Sequence, residues 1–267
     1  AKPVLPERLA AKVPQLQARG VWPESGHARR MLMLRGCVQD ALAPDIDAAA
    51  ARLFDRLGIG VLKVGGSGCC GALPHHLNQE QQAMETAKRN IDALWPEIED
   101  GAEAILSTAS GCSVHLKDYG KLLANEPGYA DKAQRVAELV KDPVELLSAD
   151  DIAQLGTPLA DQRIAFHAPC TLQHGLRLHT RLEALLRSLG AELLPVADAH
   201  LCCGSAGTYS LLQPELSERL KTNKLSHLQA GEPELILTAN IGCLTHLASG
   251  AERPVRHWLE VVGPVEC

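Results

Sequence analysis

Cys37 stands 32 positions before Cys69, and Cys170 stands the same 32 positions before Cys202. Each of the later two opens a doublet, Gly68-Cys69-Cys70-Gly71 and Leu201-Cys202-Cys203-Gly204. Cys112 follows Cys69 by 43 positions and Cys243 follows Cys202 by 41, inside the matching phrases GCSVHL and GCLTHL. Four cysteines held in one register twice mark an internal duplication, so whatever architecture one half adopts, the other adopts as well.

The segments between the cysteines say which architecture that is. RRMLMLRGC, IGVLKV and AEAILSTASGC read as strands, separated by the helical stretches DIDAAAARLFDRLG and NQEQQAMETAKRNIDALWPEIEDG. The second half replays the order with RIAFHAPC, AELLPVAD and PELILTANIGC as strands. LRLHTRLEALLRSLG and PELSERLKTNKLSHLQAG are its helices. Strands alternating with helices predict an α/β chain of two duplicated Rossmann-like halves, each a parallel sheet flanked by helices. Binding residues of such sheets collect beyond the carboxyl ends of the strands, where the cysteines fall. The predicted divisions are an arm over residues 1–30, a first domain over 31–125, a helical connector over 126–162 and a second domain over 163–262. The arm carries prolines at positions 3, 6, 14 and 23, which argue against packed structure. One more helix is expected in VRHWLEVV.

Soft thiolates select zinc, copper(I) or iron–sulfur clusters. Structural zinc takes Cys-x2-Cys pairs, and neither half contains one. Adjacent cysteines have Cα atoms about 3.8 Å apart, which hinders both thiols from reaching one small ion but lets each reach a different iron of a cluster. Glycines beside both doublets allow the backbone to approach bulky sulfide. The expected ligands are therefore Cys37, Cys69, Cys70 and Cys112 in the first half, and Cys170, Cys202, Cys203 and Cys243 in the second. Cys267 reads as an ordinary buried thiol. His246 and His115 stand three residues after Cys243 and Cys112, a spacing open both to a further ligand and to a backbone-bonded neighbour; His246 is the stronger candidate. His167 and His174 flank Cys170 with no histidine at the matching first-half positions, which argues for supporting roles. Thr171, Ser205, Thr208 and Tyr209 are candidate hydrogen-bond donors to sulfur. A net charge of −6 gives no basic footprint for nucleic acid. No glycine-rich nucleotide loop or Ser-His-Asp order describes a self-contained enzyme, so no catalytic residue is assigned.

Cys-x31-Cys-Cys-Gly followed about forty residues later by Gly-Cys, twice, resembles the cysteine-rich CCG domain of heterodisulfide reductases, lactate-utilisation iron–sulfur proteins and glycolate oxidase iron–sulfur subunits. TASGC, FHAPCTLQH, HLCCGSAGTYSL, TANIGCLTHLASG and VRHW are most similar to the last group, over residues 30–262. That resemblance implies an iron–sulfur electron-transfer subunit of a glycolate dehydrogenase. Partner subunits carrying FAD would oxidise glycolate to glyoxylate, and electrons would pass through [4Fe-4S]-type clusters on the eight cysteines towards a quinone-type acceptor. It implies a cytoplasmic location, peripheral on the inner face of the membrane. Such subunits carry an N-terminal ferredoxin-like domain with Cys-x2-Cys-x2-Cys-x3-Cys-Pro quartets, which is expected to be missing from this chain. The heterodisulfide reductase pattern ends in Cys-x2-Cys, and here His115 and His246 stand at the final position. The alternatives are a disulfide-reductase-like catalytic subunit, a lactate-oxidation subunit and a zinc-stabilised scaffold.

Overall fold

The computed structural model describes residues 20–24 and 26–263. Most of the arm, and Cys267, lie outside them. The first half runs β1 (Arg29–Leu34), α1 (Val38–Leu42), α2 (Asp45–Arg56), β2 (Ile59–Val64), α3 (Ala72–His76), α4 (Glu80–Glu99), β3 (Ala104–Leu106), α5 (Ser110–Lys117), α6 (Tyr119–Leu122), α7 (Ala130–Leu139), β4 (Val140–Lys141), α8 (Pro143–Leu146) and α9 (Ala149–Leu155). The second runs β5 (Arg163–His167), a π-helical turn (Thr171–Leu176), α10 (His179–Ser188), β6 (Glu192–Leu193), α11 (Tyr209–Leu212), α12 (Pro214–Gln229), β7 (Leu235–Thr238), α13 (Ile241–Ala248), β8 (Val255–His257) and α14 (Trp258–Val262).

The sheets are ordered β2-β1-β3-β4 and β6-β5-β7-β8, with every pairing parallel. The duplication read in the cysteines is therefore a duplication of topology. Central strands β3 and β7 are buried along their whole length, because helices cover both faces of a parallel sheet and continuous apolar runs such as LILT fit nowhere else.

Three expectations change. The connector over 126–162 is not purely helical: Val140–Lys141 pairs with β3 as the outer strand of the first sheet. Ala133, Val136 and Leu139 of α7 pack into the same core as Leu32 and Ile105, so this segment completes the first half as well as reaching the second. The stretch VRHWLEVV, expected as a helix, begins with β8, the counterpart of β4, and only then becomes α14. AELLPVAD shrinks to a two-residue edge strand, since Pro195 has no N–H to offer a ladder. Two- and three-residue strands carry too little periodicity to read from sequence.

The segment closing each half packs against a helix of the other. α14 lies on α2, and α8 lies on α10. Ile46, Leu53 and Phe54 thereby share one apolar cluster with Leu182, Leu186, Trp258 and Leu259. Each such side chain contributes about 1.5–3 kcal/mol on burial, which ties the halves into one cooperative body. The described end of the arm joins the same cluster. Trp22 packs against it and donates its indole N–H to the Val61 carbonyl at 3.1 Å. Among the described residues no helix is long and apolar enough to cross a membrane.

Candidate metal centre

Each half delivers its four thiols from equivalent places. Cys37 sits between β1 and α1 and Cys170 between β5 and the π-helical turn, both exposed. The doublets occupy the loops after β2 and β6, with Cys70 and Cys203 buried. Cys112 and Cys243 are not on strands; each is the third residue of an eight-residue helix, α5 or α13.

The sulfurs form an open chain of contacts in each half. Cys37 interacts with Cys69, and Cys70 with both Cys69 and Cys112. Cys170, Cys202, Cys203 and Cys243 repeat that order. Main-chain N–H groups ring both chains at duplicated positions: Val38, Gly71 and Ala72 in the first, Thr171, Gly204 and Ser205 in the second. The Gly71 N–H lies 3.5 Å from the Cys69 sulfur and the Gly204 N–H 3.3 Å from that of Cys202. These glycines have φ of +90° and +93°, the left-handed region that turns the N–H back onto the preceding thiol.

The electrostatics show what such a quartet lacks. Cys69 is pulled down to about 2, first by the Cys37 thiol, then by the Cys70 thiol and, against the cost of burial, by the Gly71 N–H. Cys202 falls to about 2 through Cys170, Cys203 and Gly204 in the same way. Contact with the neighbouring sulfurs pushes Cys37, Cys70, Cys170 and Cys203 up, and burial adds to it. The Cys203 thiol and then His167, against the cost of burial, hold Cys243 down at about 6, so the second half stabilises two thiolates, while Cys37, Cys70, Cys170 and Cys203 resist ionisation unless positive charge joins them. A metal centre supplies that charge. The donor set fits an iron–sulfur group: sulfurs strung in a line offer separate irons their own ligand, and N–H groups point at sulfur.

The halves differ in the polar residues behind the thiols. In the first, His115 is buried with Nε2 unpartnered, 5.1 Å ring to ring from His75, and burial, then His75 and His76, hold it down at about 4. In the second, Ser217 donates to the Gly204 carbonyl at 2.9 Å and lies 3.2 Å from Nε2 of His246. A hydroxyl has one proton, so with that proton on Gly204 the serine oxygen accepts from the imidazole, and His246 Nε2 carries hydrogen rather than a free lone pair. Ala83 stands at the matching place, its carbonyl beside Gly71 as that of Ser217 is beside Gly204, and offers His115 no hydroxyl. The imidazole that faces sulfur in the second half is instead His167, whose ligand nitrogen lies within 4.8 Å of the Cys203 and Cys243 sulfurs. His174 belongs to the π-helical turn.

Asn90 and Lys224 form a second unlike pair. The Asn90 amide ties Gly68 N–H and the Cys69 carbonyl before the first doublet, while buried Lys224 donates to the Asp198 carbonyl at 2.8 Å before the second. The Tyr119 hydroxyl donates to the Cys70 carbonyl at 2.6 Å. Of the donors expected from sequence, Ser205 faces Cys203 through its backbone N–H, and the Thr171 hydroxyl goes to Ser110.

The two quartets share one rim. α5 packs against the π-helical turn, so closely that a Cβ on Gly175 would stand 2.5 Å from Val114 Cγ2. Buried Ser110, two residues before Cys112, shares a 2.7 Å hydrogen bond with Thr171, beside Cys170. The Asn240 amide, three residues before Cys243, donates to Ser110 at 3.3 Å.

Comparison with known proteins matches the cysteine-rich domain named CCG twice, over residues 31–117 and 164–248. The chain belongs to the CCG cysteine-rich domain family. It is 50% identical over 262 residues to the glycolate oxidase iron-sulfur subunit of Escherichia coli (strain K12), covering 98% of this chain and 64% of that protein. It is 32% identical to the probable glycolate oxidase iron-sulfur subunit of Bacillus subtilis (strain 168), over 84% of this chain and 50% of that one. The chain therefore spans less than two thirds of either relative. The crystal structure of a hypothetical protein from Helicobacter pylori shares the fold, with a TM-score of 0.60 at 9% identity over 98% of this chain and 54% of that one.

Proposed function

We propose that this chain is the iron–sulfur electron-transfer part of a glycolate dehydrogenase, and that flavin-bearing partner subunits oxidise glycolate to glyoxylate. In this reading FAD sits on a partner, the acceptor is quinone-type, and the complex works at the inner face of the cell membrane. The observation that carries the proposal is the pair of thiol quartets, each ringed by three N–H groups and sharing one rim. The 50% identity to an iron–sulfur subunit names the reaction it would serve.

An iron–sulfur cluster, of the [4Fe-4S] type in our reading, supplies reversible one-electron storage when bound. Cys37, Cys69, Cys70 and Cys112 would hold one and Cys170, Cys202, Cys203 and Cys243 the other. The chain's own residues hold the sulfurs and tune them. Gly71 and Gly204 donate to thiolate, lowering its electron density, and burial of Cys70, Cys203 and Cys243 keeps water from the inner side of each quartet. The Thr171–Ser110–Asn240 hydrogen bonds fix the two sites against each other. No proton-transferring residue is needed on this chain, because substrate chemistry lies with the partners.

Mixing the anaerobically loaded complex with glycolate tests this. Partial bleaching of the visible iron–sulfur absorbance, dependent on the flavin subunits, is the expected result. Bleaching by lactate but not glycolate would move the chain to a lactate-oxidising complex. Bleaching by a disulfide substrate without any flavin partner would make the thiol sites themselves catalytic.

A further inference from the structure

We propose that His167 is a nitrogen ligand of the second centre, so that the two centres of this chain are chemically unlike. His167 is the last residue of β5 and only 2% exposed. Neither ring nitrogen has a nitrogen or oxygen hydrogen-bond partner, and the group the ring meets is the Cys243 sulfur. Its ligand nitrogen and the sulfurs of Cys203 and Cys243 all lie within 4.8 Å of one another. Each iron of a [4Fe-4S] group takes one protein ligand, and His167 stands close enough to take, with small side-chain movement, the iron that Cys243 would otherwise hold. Among the described residues no other set of three histidine, cysteine or carboxylate side chains converges so closely. The matching place in the first half, three residues before Cys37, is Leu34.

The difference has a direction. Neutral imidazole in the ligand set leaves less negative charge on the cluster than thiolate alone and raises its potential. Buried Lys224, where the first half has neutral Asn90, pushes the same way. The second centre is therefore the more oxidising, and electrons shared between the two rest there.

This inference depends on the iron–sulfur reading but fails separately from it. Pulsed EPR on the reduced, anaerobically prepared chain should show strong nitrogen-14 coupling on one of two cluster signals, changing to the nitrogen-15 pattern when histidine is isotopically labelled. His167→Cys should retain iron and sulfide while losing that coupling and lowering the midpoint of the same signal, and His115→Ala should leave the coupling intact. If His167→Cys loads poorly, isotope labelling of the unaltered chain decides the question. Two loaded clusters with no strong histidine coupling, or coupling that survives His167→Cys, overturns the ligand assignment alone. A chain holding neither iron nor sulfide overturns the iron–sulfur reading and this inference together.

Discussion

Replacing Gly204 by alanine, alongside Gly71→Ala as its duplicate, separates two contributions to the doublet loops. Both glycines have almost the same φ, +93° and +90°, so both substitutions incur the left-handed penalty of about 1–2 kcal/mol. Their surroundings differ. A Cβ at Gly204 would lie 2.6 Å from the Ser217 carbonyl oxygen and 3.2 Å from the Ser217 Cα, both backbone atoms at the start of α12. At Gly71 the nearest atom is a Thr86 methyl at 3.3 Å, which a rotamer change relieves. Moving the backbone of α12 adds about 1–3 kcal/mol of overpacking. Gly204→Ala should therefore cost about 2–5 kcal/mol and Gly71→Ala about 1–2 kcal/mol. Urea unfolding of the two variants and the parent under identical anaerobic loading measures the gap. The shift should also carry the Gly204 N–H off the Cys202 sulfur, so iron is lost from the second site first. Equal costs for the two variants, or a Gly204→Ala cost below about 1 kcal/mol, would refute the packing argument.

Three further outcomes follow from the same geometry. Cys70→Ser and Cys203→Ser should each remove the iron and sulfide of one centre while leaving the other, measured by metal and sulfide analysis; full retention in either variant sinks the ligand assignment. His257 is fully buried and held down at about 4 by desolvation, so the unfolded chain binds its proton first as pH falls below about 6.5, and stability is lost between there and about 4. Relative to His257→Asn, which retains a capping side chain for α14, the parent should lose about 2 kcal/mol between pH 7.5 and pH 5; parallel urea midpoints would contradict this. Ser110→Ala removes the hydroxyl shared by Thr171 and Asn240 and should cost about 1–3 kcal/mol with the iron count unchanged; loss of iron would show that the bridge does more than fix the halves together.

The duplication was legible because cysteine spacing is preserved to the residue where the backbone is most constrained, at Cys37–Cys69 and Cys170–Cys202. Long periodic segments such as α2 and α4 announced themselves for the same reason their faces are buried: apolar side chains recur every third or fourth position. β4 and β8 did not, since two or three residues show no period, and their role is set by pairing with β3 and β7 far away in the chain. The histidines were harder. His246 and His115 look alike in sequence and part company only because Ser217 faces one and Ala83 stands near the other, on helices about thirty residues upstream. His167 was visible in FHAPC, yet the lack of a first-half counterpart argued for a supporting role. Comparison by duplication hides whatever one half has evolved alone. His75 and His76, in PHH just beyond the first doublet, escape notice for the same reason.

Iron, acid-labile sulfide and zinc counted per chain after anaerobic preparation test the central assignment most directly. Two [4Fe-4S] centres predict about eight iron and about eight sulfide, with no stoichiometric zinc. Zinc in whole-number amounts with no sulfide would contradict the account, leaving the two thiol quartets as structural zinc sites.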